Sequence, residues 1–185
     1  MKRIICIFLT LILSVSVIAC GQKAPETPQE VVKEFYSRFT QCVIDMEYPE
    51  ADDILDMESI QSYNLVSRVK ESILLQTLTL EAGEPIGTEY AKYKLEFKET
   101  EYIDEDKVKI TVDVIDYGNK KPEPTALHVY FGINYFTLSK KDGKWKITTR
   151  ELEGVGIPML EEYNMDKKVE FDPKAIEESW RKNRE

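Results

Sequence analysis

Near residue 89 the spacing of apolar residues changes from three-and-four to two, and that switch divides the chain into a helical half and a sheet half. Before it, Val32, Phe35, Phe39, Cys42 or Val43, and Met46 recur at helical spacing, with Val31 and Tyr36 at the stripe's edges. Thr27-Pro28-Gln29-Glu30 is a helix start: Thr27 caps, Pro28 suits the first position and Glu30 completes a capping box. Pro49 ends the following turn, and a short helix is expected over Glu50 to Met57. Ser59 is the expected cap of a longer helix reaching about Leu78, with Ile60, Tyr63, Leu65, Val66, Val69, Ile73 and Leu74 on its apolar side.

After the switch, Tyr93, Leu95 and Phe97 alternate with lysines and Glu96. Val108, Ile110, Val112 and Val114 alternate beyond the acidic turn Asp104-Glu105-Asp106, so the two runs predict a β-hairpin. A third strand, Ala126 to Leu138, has apolar residues on both faces and is expected to be central, with a bend or bulge at Gly132. Asp142-Gly143 predicts a tight turn into a fourth strand whose alternate face is Trp145, Ile147 and Thr149. Asp172-Pro173 opens a short terminal helix with Ile176 and Trp180 on one face. Helices followed by an antiparallel meander give an α+β class: N-terminal helices packed on a curved four-stranded antiparallel sheet, with a C-terminal tail helix.

The first twenty residues say where the domain resides. Lys2 and Arg3 precede a 15-residue apolar run, Ile4 to Ile18. That is short of the ~20 residues a bilayer-spanning helix needs, and it reads as a secretory signal. Its end, Val17-Ile18-Ala19-Cys20, resembles the lipobox of bacterial lipoproteins. The resemblance implies cleavage before Cys20, acylation of Cys20 and a membrane-anchored, extracytoplasmic protein at the cell surface or outer membrane, its partner there being membrane lipid. Two or three acyl chains hold a protein firmly, since each buried methylene contributes ~0.8 kcal/mol. The expected divisions are 1–19 signal peptide, 20–27 lipidated cysteine and tether, 28–152 α+β domain and 153–185 C-terminal extension.

Losing Lys2 and Arg3 from 25 basic residues set against 34 acidic ones leaves a formal charge of −11 after cleavage. Such a surface repels nucleic acid, so no nucleic-acid partner is expected. Cys6 leaves with the signal and Cys20 carries lipid, so Cys42 has no intrachain disulfide partner and is expected to be a buried small hydrophobe.

The helices-then-sheet order is similar to the nuclear transport factor 2-like cone, and the phrase Tyr135 to Ile147, with Asp142-Gly143-Lys144-Trp145, is similar to the last hairpin of many such domains. The same region resembles the module that precedes the catalytic half of some Gram-positive amidase-like proteins, a half with no counterpart here. The cone resemblance implies a pocket between sheet and first helices, for which Tyr93, His128, Tyr130 and Tyr135 are the candidate lining residues.

The chain's one histidine, His128, shares strand parity with Tyr130 and is read as a strand histidine in preference to a general base. No nucleophile elbow, phosphate-binding glycine loop or Cys/His metal spacing occurs, so no catalytic residue, metal or cofactor is assigned. Asp52, Asp53 and Asp56 are read as a solvated acidic face. The functional expectation is a non-catalytic binding or accessory module of the cell envelope, its partner a small apolar ligand, a cell-wall component or an envelope protein. The alternatives are a small cone-fold isomerase or dehydratase using His128 or a carboxylate, and a structural envelope scaffold.

Overall fold

The computed structural model describes residues 25–84, 93–116, 131–152 and 166–184. Helix α1 (Pro28–Asp45) begins with the expected reciprocal cap: Glu30 N donates to Thr27 Oγ1, and Thr27 N donates to the Glu30 carboxylate. It ends at Met46, whose left-handed backbone (φ 55°) turns its N–H back onto the Cys42 carbonyl. Helix α2 (Ile60–Glu81) is capped by Ser59.

The four strands are β1 (Tyr93–Tyr102), β2 (Lys107–Asp116), β3 (Gly132–Lys141) and β4 (Lys144–Leu152), in the order β1-β2-β3-β4 and all antiparallel. β3 is therefore interior, as its two-sided apolar composition predicts; residues 126–130 of the expected strand lie outside the described residues. Positive φ at Asp142 (52°) and Gly143 (75°) makes the β3–β4 turn tight. The tail helix α3 (Pro173–Lys182) starts at Asp172, which caps Lys174 N and Ala175 N.

One face of the sheet carries Val108, Ile110, Val112, Val114, Phe136, Leu138, Trp145 and Ile147 into a single core with Val31, Val32, Phe35, Tyr36, Phe39 and Val43 of α1 and Val66, Val69 and Ile73 of α2. Asn64, Ser62 and Ser67 are buried on α2 beside these apolar positions.

Two expectations are corrected. Residues 50–57 do not form a helix. Ile54 N and Leu55 N both bond the Ala51 carbonyl, but the next donor, Asp56 N, goes to Ile147 O, and Ile147 N goes to Ile54 O. Tertiary bonds to β4 thus take the groups a helix would need, and Leu55 forms a parallel bridge with Ile147 along the outer edge of β4. The inward face of β4 is also not a simple alternation. Thr137 pairs with Thr149 but Leu138 pairs with Ile147, so Thr148 is the extra residue of a bulge. Beyond it Phe136 pairs with Arg150, and the side chain that follows Trp145 and Ile147 into the helix-facing layer is Arg150 in place of Thr149. The bulge is stitched into the fold: Thr148 Oγ1 donates to Thr137 O at 3.0 Å, and its carbonyl accepts the hydroxyl of the α2 cap, Ser59. Ser62 Oγ donates to the neighbouring Ile147 O at 2.9 Å. A second bulge, at Lys98, lies between Phe97 and Glu99 in β1.

Candidate functional site

Arg150 enters an aromatic layer through the β4 bulge. Its guanidinium carbon lies 5.4 Å from the Tyr36 ring centre, 5.5 Å from Phe136 and 5.7 Å from Phe35, cation–π distances. Its Nε and Nη2 donate to Asn134 Oδ1 at 3.0 and 2.7 Å, and Nη2 also donates to the Tyr36 hydroxyl at 3.0 Å. The Tyr36 hydroxyl donates to Asn134 Oδ1 at 3.2 Å, and Asn134 Nδ2 donates to Gly132 O at 2.8 Å. Gly132 begins β3 with φ +97°, a conformation costly for any side chain, and this backbone sets the carbonyl that Asn134 meets.

Asn134 and Tyr36 are fully buried, and such groups persist in a core only when bonded. Burial raises the Tyr36 phenol above its ordinary value, with Arg150 opposing, so Tyr36 remains a neutral donor. The cluster extends along α1: Tyr93 Oη donates to the Tyr36 carbonyl at 3.0 Å and lies 2.8 Å from Thr40 Oγ1. Chemically this is a polar knot of neutral acceptors around one cation, its members bonded to one another within the core.

The candidate lining residues separate. Tyr93 faces the helices, as its bond to α1 requires. Tyr135 pairs with Thr111 on the opposite face of the sheet, under the ammonium of Lys109 at 5.1 Å. His128 and Tyr130 lie outside the described residues, as does Cys20.

Two of the three aspartates have specific work. The Arg38 guanidinium bridges Asp53 and Glu34 and holds the Asp53 carboxyl below the usual carboxylate range. Asp56 is buried, accepts Glu58 N at 3.2 Å and lies 3.7 Å from Lys141 Nζ. Among the described residues no group of three or more His, Cys, Asp and Glu side chains gathers as metal ligands, and no helix is long and apolar enough to cross a membrane.

Cys42 is half-buried at the edge of the α1 stripe, not enclosed as expected, because Val43 takes the inward position. Partial burial pushes its thiol above its ordinary pKa. Less thiolate is then present at any given pH, so alkylation at neutral pH should run slower in the folded protein than in the urea-unfolded chain. Equal rates would place Cys42 in open solvent.

A concave feature lies on α2. Residues 167–171 run beside the helix and help to wall a groove of about 280 Å³ lined by Met57, Tyr63, Val66, Ser67, Lys70, Glu170 and Phe171. No protein-family model matches the chain, and no curated protein is similar to it.

Proposed function

We propose that this chain is a lipid-anchored module of the cell envelope, extracytoplasmic and tethered through acyl chains on Cys20, whose helix-covered sheet is curled as a cone and which binds a partner without transforming it. The observation that speaks against catalysis is the Arg150–Asn134–Tyr36 knot. Where a cone-fold enzyme would place a substrate and an acid–base group, these side chains bond one another among Phe35 and Phe136.

Curvature is supported by the bulges in both outer strands and by Tyr102 of β1 and Trp145 of β4, whose rings approach to 6.4 Å across the four-stranded sheet. The short apolar leader and the cysteine behind Ala19 support the anchor, and the acidic mature surface leaves nucleic acid out.

The anchor is tested with Cys20→Ser. This variant should escape lipoprotein processing and lose acyl labelling; normal labelling would overturn the anchor. The non-catalytic reading is tested with His128→Gln, expected to fold with stability within ~0.5 kcal/mol of wild type. A turnover found by substrate screening and reduced about 100-fold by His128→Gln, the effect of losing a general base, would replace it.

A further inference from the structure

The chain's own C-terminal segment lies across α2 and walls one side of its groove, and the contacts that seat it are those of peptide recognition. Asn64 projects from the second turn of α2 and is buried. Its Nδ2 donates to Lys167 O at 3.1 Å, and its Oδ1 accepts Val169 N at 2.8 Å. A carbonyl and an N–H flanking one residue are the pair that a neighbouring strand contacts in a parallel ladder. One side-chain amide therefore reads the backbone on both sides of Lys168, whatever side chain stands there.

Side chains add selectivity. Lys168 Nζ donates to Met57 O at 2.7 Å and sits 5.0 Å from the Tyr63 ring centre. Phe171, three residues on, meets Tyr48 edge-to-face at 5.2 Å and forms one wall of the groove.

The hold of this segment is slight by comparison with the core. Helix α3 has no buried residue, and residues 166–170 are exposed. Besides the contacts of Asn64, Lys168 and Phe171, the tail packs on α2 through α3, on which Ile176 and Trp180 are half-buried, and Arg184 forms an exposed ion pair with Glu84 of the kind that adds little. Segments with few buried contacts are the ones that open locally.

We propose that the α2 face beneath residues 167–171 is a docking site for a partner protein, which supplies a peptide segment with a basic residue followed three positions later by an aromatic one, and that residues 167–171 occupy that face in cis as a displaceable strap. This names a surface and a partner chemistry for the binding module proposed above and rests on that reading. The seated strap specifies the occupant: backbone for Asn64, a cation for Tyr63 and the Met57 carbonyl, an aromatic ring for Tyr48. Tethering gives such a strap a millimolar effective concentration, so an isolated peptide competes poorly until the strap is loosened.

The probe is a fluorescein-labelled peptide of residues 166–172, titrated by anisotropy against the full chain. Val169→Pro in the protein removes the N–H that Asn64 accepts and should tighten peptide binding about tenfold or more over wild type, as expected when a tethered competitor is weakened. Adding Asn64→Ala to that variant should abolish the gain. If this double variant folds poorly by circular dichroism, a peptide carrying proline at the position of Val169 provides the same comparison on intact Val169→Pro protein and should not bind.

Equal affinity for wild type and Val169→Pro, or binding indifferent to Asn64 and to proline in the peptide, would overturn the proposal. So would a concentration-dependent dimer that the peptide dissolves, because it would assign the groove to the tail of a second copy. The titration does not involve Cys20, so failure here is distinguishable from failure of the anchor. Peptide binding lost at this groove alone also leaves the Arg150 argument intact.

Discussion

Arg150→Ala is expected to lower the unfolding free energy by about 3 kcal/mol, measured by urea denaturation, a large share of the 5–15 kcal/mol that holds a domain folded. Three contacts contribute. The fork to Asn134 Oδ1 and the bond to the Tyr36 hydroxyl are charge-assisted, each typically ~1.5–3 kcal/mol and not additive. The planar face covers three aromatic rings, so truncation also leaves space beside Phe35 and Phe136. Arg150→Lys should recover only part of the loss, because an ammonium cannot fork onto one amide oxygen while bonding a phenol. A double-mutant cycle with Asn134→Ala should show coupling above ~0.5 kcal/mol, as expected of directly bonded residues. A loss under ~0.5 kcal/mol for Arg150→Ala, typical of surface sites, would mean that the guanidinium faces solvent.

Trp145→Ala should be at least as costly, about 3–5 kcal/mol, the range for a large aromatic truncated in a core. Trp145 is the last inward residue of β4 at the hairpin end, and only 9% of its surface remains accessible. Tyr102 meets its ring edge-to-face, and Lys140 Nζ lies 5.0 Å above it. Removing the indole would unpack the side chain joining the two outer strands, so Tyr102, already 60% exposed, would lose its main aromatic neighbour. Trp145 fluorescence offers a second readout: Tyr102→Ala should shift its emission to the red as water reaches the ring. An unchanged spectrum together with a loss under ~0.5 kcal/mol would place this end of the sheet in solvent.

The elements legible in the sequence are those whose signals are local. Thr27-Pro28-Gln29-Glu30 contains the whole cap of α1, and Asp142-Gly143 contains the whole turn between β3 and β4. What escaped depends on partners far along the chain. Residues 50–57 have helical composition, yet their backbone groups bond Ile147, a residue about ninety positions away. Arg150 escaped because alternation was carried through Thr148, where the bulge breaks it. The available signal was Asn134, a polar residue in phase with the inward Phe136 and Leu138 of an interior strand. A buried amide needs partners, and a cation across the ladder supplies them. The candidate lining residues were chosen for aromatic character; Tyr93 and Tyr135 differ in strand parity, which only the register of β1 on β2 and β2 on β3 connects.

The Leu55–Ile147 bridge bears on how copies of this protein can behave when crowded. Residues 54–56 occupy both the N–H and the carbonyl of Ile147, and Lys146 Nζ is drawn to the Asp52 carbonyl beside them at 2.6 Å. The middle of β4 therefore offers no ladder to an incoming strand. Strand-to-strand assembly requires two open sides on every molecule to continue; one side permits a pair and then stops. With the middle of β4 closed by its own chain, that part of the edge cannot extend a ladder, and growth of a continuous sheet through it is blocked by geometry alone.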